Sequence, residues 1–248
     1  ITERVEMENE LLDAKNLAEE ANQAKSDFIA DMSHEIRTPM HALLGYANLG
    51  INKIEKLTKE NTMKYLTEIR SSGTRMVSLV EDLLDLSKLQ TGKTTYHFEM
   101  HSLSETIEKV IGEFEALAAE KNITLQFDNP NLTDRLMMDR DKIHQVITNI
   151  LSNSIKFSNQ DDTIHIRLET KEDHFQFVVS DQGVGIPDDE LEVIFDKFTQ
   201  SSKTKTAAGG TGLGLSISKQ IIVDHNGQIW AENNPEGGAT FHFILPAR

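Results

Sequence analysis

Two long helical patterns separated by a short break fill the first 90 residues, and they restrict the fold more than any other feature of the chain. Met7, Leu11, Ala14, Ala18, Ala21 and Phe28 follow three- and four-residue steps among Glu, Lys, Asn and Gln, interrupted only by Lys25 in the same series. So narrow an apolar seam belongs to a coiled coil or to an amphipathic surface helix, and helix–helix pairing is the expectation here. The pattern continues through Ile29, Met32, Ile36, Met40, Leu43 and Leu44 towards Ile54. Pro39 lies inside it, where a proline removes a hydrogen bond and kinks the axis. Met63, Leu66, Ile69, Met76, Val80, Leu83 and Leu86 mark a second helix from Thr58 to Gln90, and Gly92 suits its stop. Two long helices with a short turn make a hairpin, and one hairpin cannot cover both apolar stripes. Two copies side by side form a four-helix bundle, so a homodimer is expected.

After about residue 95 the pattern changes. Thr94 to Glu99 reads as extended, Leu103 to Lys121 as a helix, and Ile123 to Phe127 alternates like a strand. Arg140 to Phe157 is a predicted helix. Ile164 to Leu168 and Phe175 to Val179 are predicted strands, turning at Lys171 to His174. A helix over Ser216 to His225 follows, then strands over Gln228 to Glu232 and Ala239 to Leu245 around Gly237-Gly238. Helices and mostly antiparallel strands segregate into an α+β two-layer sandwich. The run Gln200 to Gly210 is polar, small and short of apolar anchors, which predicts a mobile loop. The expected domains are a signalling coil over residues 1–27, a dimerising hairpin over 28–92 and a sandwich over 96–248.

Composition narrows the function. With no cysteine, neither a disulfide nor a thiolate metal site can form. A net charge of −15, from 40 acidic against 25 basic residues, argues against direct nucleic-acid binding, which needs Lys/Arg stripes. No apolar run reaches the roughly 18 residues of a membrane helix, so no direct membrane contact is expected of this fragment. The opening Ile1-Thr2-Glu3-Arg4 reads as mid-helix, as in a piece of a longer cytoplasmic protein.

Several residue groups could carry chemistry. His34 lies in Ser33-His34-Glu35-Ile36-Arg37-Thr38-Pro39, on the polar side of Met32 and Ile36. Alone it fits a solvated side chain or a nucleophile; a neutral imidazole is a competent nitrogen nucleophile. Glu35 could take or orient its ring proton, and Thr38 lies one turn on along the same face. Asn149, Asn153 and Lys156 share one stripe of an otherwise apolar helix, where polar groups are costly to bury unless they bind something or satisfy one another. A carboxamide oxygen is a hard ligand suited to Mg²⁺ carrying a triphosphate. Gly210-Thr-Gly212-Leu-Gly214-Leu215 opens a helix, so a phosphate could approach its backbone N–H groups, but ligand-free glycine turns look alike.

Together these pieces resemble the sensor histidine kinases of two-component signalling over roughly residues 20 to 246. Ser33 to Pro39 resembles the phosphoacceptor box and His144 to Ser158 the N box. Asp181-Gln-Gly183-Val-Gly185 resembles the first glycine box, Phe195 to Phe198 the F box, and Gly210 to Leu215 the second glycine box. The resemblance implies an ATP-binding sandwich of the GHKL ATPase type, and ATP-dependent phosphorylation of His34 with Glu35 as its base. A receiver-domain aspartate of a response regulator would accept the phosphoryl group next. Thr38 would position water when the enzyme works in reverse on that phosphoaspartate. Asn153 would hold Mg²⁺, with Asn149, Lys156 and Phe157 around it. Asp181 would read the adenine amino group beside Gly183, Gly185 and Ile186. Phe198, Gly210, Thr211, Gly212, Leu213, Gly214 and Leu215 would line the nucleotide under a lid. The wording Phe198-Thr199-Gln200 looks most like hybrid-type kinases, which often carry a receiver domain further along. Where many relatives carry an arginine after the F box this chain has Gln200, leaving Lys203 or Lys205 to steady the γ-phosphate.

Three other readings compete. ATPases of the gyrase and mismatch-repair type share the second fold, but they activate water with a glutamate four residues before the metal asparagine, where this chain has Asn149. A degenerate scaffold that only dimerises would not need intact boxes. His97 and His101 are four apart, but on a predicted strand and turn they do not converge on a zinc ion.

Overall fold

The computed structural model of the protein describes residues 15, 29–30, 32–53, 57–90, 94–128, 134–203 and 211–247. The seam read over residues 1–27 (Lys15 apart), the Gly92 stop, Lys205 and Gly210 lie outside the described residues. The chain divides into two compact units, Ile1–Glu81 and Asp82–Arg248.

In the first unit helix α1 occupies residues 32–52 and runs through Pro39. Proline has no N–H to give the Glu35 carbonyl. One residue earlier the Thr38 hydroxyl donates to the His34 carbonyl at 3.2 Å. Helix α2, Lys59–Gln90, begins where it does because Thr58 caps it: the Thr58 hydroxyl oxygen accepts from the Asn61 N–H at 3.2 Å. Such a cap is worth about 1 kcal/mol. The helices pack antiparallel, with the Tyr46 and Tyr65 rings 5.9 Å apart and Gly73 of α2 facing Leu43 of α1. Leu79 is buried by this packing, yet Leu44, Ile51, Met63, Leu66 and Val77 remain more than half exposed. Two helices have too little surface to cover two apolar stripes.

The second unit takes in the end of α2 from Asp82 onward. Asp85 there accepts from Gln145 at 2.9 Å and pairs with Lys142 at 3.4 Å. That end therefore groups with the sandwich, whereas the sequence places the division after residue 92. A two-stranded sheet follows, strand β1 (Glu99–Ser102) pairing antiparallel with strand β3 (Arg135–Met138). The main sheet has five strands in the order β2-β4-β5-β7-β6: Thr124–Asp128, Thr163–Thr170, His174–Ser180, Ala239–Pro246 and Gln228–Asn233. Only the β2–β4 pair is parallel. Helices α3 (Leu103–Glu120), α4 (Arg140–Phe157) and α5 (Gly214–Asp224) form the other layer.

The core lies between those layers. Alternation along β4 and β5 sends Ile164, Ile166, Leu168, Phe175, Phe177 and Val179 inward, all buried. Phe177 and its cross-strand partner Phe243 touch at 4.8 Å between ring centroids. On the opposite sheet face Trp230 stacks on His242, ring centroids 4.8 Å apart and planes within 5°. Side-chain caps set the helix starts. Asp139 accepts from Lys142 N–H at 3.1 Å to begin α4, and Ser102 accepts from Glu105 N–H at 3.2 Å to begin α3, with Asp134 accepting from Ser102 Oγ at 2.9 Å and from the Ser104 N–H beside it. Residues before β1 are strapped onto this unit: Tyr96 donates to Asp224 at 2.6 Å, and the Tyr96 and Phe98 rings pack on His225.

Candidate active site

Functional side chains occur in each unit. On α1 the His34 ring is exposed, and Glu35 beside it is half-buried. Thr38 stands one turn on, its hydroxyl on the His34 carbonyl. A nitrogen nucleophile reachable from solvent, next to a carboxylate, satisfies the geometry a phosphoryl acceptor needs.

In the second unit α4 carries Asn149, Asn153 and Lys156 along one stripe, as the four- and three-residue spacing requires. Their environments differ. Asn149 donates from Nδ2 to Ser218 Oγ of α5 at 3.0 Å. Gly214, at the start of α5, lies against that carboxamide so closely that a Cβ would collide with it. Asn153 is half-buried, and among the described residues its carboxamide has no hydrogen-bond partner. Burial lowers the Lys156 pKa, and its ammonium lies 4.9 Å over the Phe157 ring.

The segment after β5 supplies a buried anion. Asp181 is 5% exposed, and its Oδ1 accepts from the N–H groups of Gly183 and Ala239, each at 3.0 Å. Burial raises its pKa, while those two hydrogen bonds pull the other way. Gly183 has no room for a side chain: a Cβ would sit 2.5 Å from the Phe157 carbonyl oxygen. Gly185 adopts φ +65, a conformation glycine enters without steric cost, and the buried Ile186 follows it. Lys203 donates to the Val184 carbonyl at 3.2 Å, so its ammonium reaches this same segment.

The second glycine segment meets the F-box turn. Phe198 takes φ +60, and its N–H donates to the Gly212 carbonyl at 2.9 Å. Gly212 also has φ +65, and a Cβ there would lie 2.7 Å from the Phe198 backbone. Thr211 donates to Asp82 at 2.9 Å and accepts from Leu213 N–H at 3.2 Å. Leu213 is buried, Leu215 is half-buried, and α5 begins at Gly214 without any side-chain cap. The first N–H groups of a helix lack intrahelical partners, so an uncapped start suits phosphate oxygens.

These features fit a magnesium–triphosphate. A partnerless carboxamide oxygen on Asn153 is a hard ligand, and glycine backbones provide space and donors where side chains would obstruct. Among the described residues no cluster of His, Asp or Glu could hold a metal alone, so phosphate and water must complete the shell. His97 and His101 form no such cluster. Sequence reasoning missed Ser218 and Asp82, and also Asn233 and Asn234, which bond to the Asp181–Ile186 segment. Side chains that act through partners 45 or more residues away leave no local pattern.

Two family models match the chain: "His Kinase A (phospho-acceptor) domain" over residues 24–92, and "Histidine kinase-, DNA gyrase B-, and HSP90-like ATPase" over residues 138–248. The circadian input-output histidine kinase CikA of Synechococcus elongatus is 34% identical over 245 residues, covering 98% of this chain and 32% of that protein. The chain thus spans about a third of that relative's length. Among solved structures, the catalytic domain of histidine kinase ThkA is 36% identical at a TM-score of 0.56, covering 61% of this chain and 96% of that one. ThkA in complex with response regulator protein TrrA aligns at a TM-score of 0.72 and 29% identity, covering 90% of this chain and 61% of that one.

Proposed function

The chain belongs to the histidine kinases, and from that premise we propose that it moves the γ-phosphoryl group of ATP onto His34 and then to an aspartate of a response-regulator receiver domain. The observation that carries the reading is the state of Asn149. It occupies the place from which gyrase-type ATPases activate water, and its amide is spent on Ser218. A carboxamide so held is no base. Water at the γ-phosphate goes unactivated, and an exposed His34 within the span matched by the phospho-acceptor model supports the reading of that ring as the acceptor.

Phosphoryl transfer asks for an in-line nucleophile and for charge neutralisation rather than covalent help from the protein. Glu35 accepts or orients the His34 ring proton, leaving a nitrogen lone pair for attack on phosphorus. Asp181 receives the adenine amino group in a pocket walled by Gly183, Gly185 and Ile186. The N–H groups at the start of α5, with Gly212 and Gly214, meet the phosphates. Asn153 would hold Mg²⁺, which when bound screens the triphosphate charge. Lys156 and Lys203 add positive charge around the same region. In reverse, a rotation of the Thr38 hydroxyl away from the His34 carbonyl aims it at water beside a phosphoaspartate, which gives a phosphatase activity toward the partner.

The uncovered stripe of Leu44, Ile51, Met63, Leu66 and Val77 supports a homodimer, in which a second hairpin completes a four-helix bundle. No described helix is long and apolar enough to cross a membrane. ATP and receiver domains place the reaction in the cytoplasm. Incubation with γ-labelled ATP tests the assignment. Wild type is expected to acquire an acid-labile, alkali-stable label, while His34→Gln binds ATP without labelling and Asn153→Ala does neither. A label that persists on His34→Gln overturns it.

A further inference from the structure

The Asp181–Ile186 segment contains two glycines in six residues, yet its base-reading carboxylate must stand in one place. Something outside the segment has to fix it, since glycines give the backbone maximal freedom. The β6–β7 turn does so. At the end of β6, Asn233 accepts from the Ile186 N–H through Oδ1 at 2.9 Å and donates from Nδ2 to the Ile186 carbonyl at 2.6 Å. One carboxamide therefore satisfies both backbone groups of one residue, as a neighbouring strand would. The same Nδ2 donates to Asp188 at 2.8 Å, just beyond the segment.

Asn234 holds the other end. Its Nδ2 donates to the Asp181 carbonyl at 2.7 Å and to Ser180 Oγ at 3.1 Å. Its Oδ1 accepts from the Thr240 hydroxyl, whose oxygen lies 2.9 Å from Ser180 Oγ, so the asparagine is itself braced on β7. Past the turn, Gly238 has φ +89 and lies so close to the Asp181 carbonyl that a Cβ would collide with it. The next N–H, of Ala239, then reaches Asp181 Oδ1. The contacts from this turn to the segment fall at its two ends, Asp181 and Ile186, with further bonds to Ser180 and Asp188 just outside them.

We infer that Asn233 and Asn234 are positioning residues for adenine recognition. They grip the two ends of the base-reading segment, so that its ordering is met during folding rather than on binding nucleotide. Neither touches the reacting phosphate. Loss of either should therefore weaken ATP binding and base selectivity while leaving the transfer step intact. The inference rests on the ATP reading above.

Three measurements on the 248-residue chain test it: calorimetric titration with ATP and with GTP, His34 labelling at saturating ATP, and amide exchange without nucleotide. Asn233→Ala and Asn234→Ala each remove three side-chain hydrogen bonds, most of them part-buried, and are each expected to raise the Kd for ATP about tenfold and to narrow the ATP-over-GTP preference. The labelling rate at saturating ATP should stay within about twofold of wild type. In Asn233→Ala the Ile186 amide should exchange faster while the Val179 amide of the sheet does not, a split that general destabilisation would not produce. If the alanine variant melts below the assay temperature, Asn233→Asp carries the test. It keeps the acceptor for the Ile186 N–H, so its Ile186 exchange should stay slow while its ATP Kd still rises. Wild type that binds no ATP sinks the functional reading itself. Wild type that binds ATP, with variants of unchanged Kd and selectivity, sinks the positioning role alone.

Discussion

Asn149 of α4 and Ser218 of α5 share a 3.0 Å hydrogen bond that joins these two helices of the sandwich. Ser218 is 2% exposed, so its hydroxyl depends on that partner. Asn149→Ala leaves it buried without the donor, at a cost of about 1–3 kcal/mol. Urea unfolding should show the loss as a lower midpoint with unchanged slope. The same variant should gain no ATPase activity, since no base is created.

Gly212→Ala tests the meeting of the two glycine-rich turns. A methyl group there enters the Phe198 backbone, and φ +65 costs a non-glycine residue about 1–2 kcal/mol. The Phe198–Gly212 hydrogen bond should open, and His34 labelling should fall by about tenfold or more, the factor that corresponds to such an energy. Stability should fall by at least the backbone strain, since the clash with Phe198 adds to it.

Asp181→Asn should separate stability from function. Burial holds the folded Asp181 pKa above its unfolded value, so the ionised carboxylate costs the native state stability at neutral pH. Asparagine removes that charge and keeps an oxygen for the Gly183 and Ala239 N–H groups. The melting temperature should hold or rise, while calorimetry shows ATP binding weakened by about a hundredfold, in keeping with an unmatched hydrogen-bonding group in a buried site.

His225 gives the second unit a pH dependence. Its Nε2 accepts from the Asp139 N–H at 3.0 Å, so Nδ1 carries the proton and donates to the Ile221 carbonyl at 2.7 Å. The Asp139 and Asp224 carboxylates and the Tyr96 phenol also face it, but burial dominates and lowers its pKa. A histidine with a lowered folded pKa stabilises fully above its unfolded value near 6.5, and that contribution drains away as pH falls towards the folded value. Urea midpoints should drop in wild type over the window that opens as pH falls below about 6.5. His225→Gln should be weaker at pH 7.5 and flatter across that window.

Leu66→Glu places a charge on the uncovered α2 stripe, where Leu66 is 58% exposed in the single chain. Sedimentation should show a dimer for wild type and a monomer for the variant, with melting of the second unit unchanged.

How much of this was legible in the sequence depended on how local the cause was. Helix α4 runs from Arg140 to Phe157, the predicted bounds, because an Asp139 cap and a 3.6-residue apolar period are both written within one segment. Arg135–Met138 became a strand for a reason no local pattern records: it pairs with Glu99–Ser102 and is pinned by Asp134. The glycines of the site were visible as glycines, but not what crowds them. Gly214 faces Asn149 and Gly183 faces Phe157, both partners supplied by α4. The left-handed Phe198 had no sequence signal, since its conformation is imposed by the bond to Gly212. Asn233 and Asn234 read as ordinary turn residues until the chain closes on them.

The chain has one tryptophan, and it is stacked on His242 within the second unit. Tryptophan emission therefore reports on that unit alone, whereas the hairpin unit carries only the tyrosines Tyr46 and Tyr65 among its described aromatic residues. Overlaying emission on far-ultraviolet dichroism, which helices dominate, then separates the two melting events in one sample without any added label.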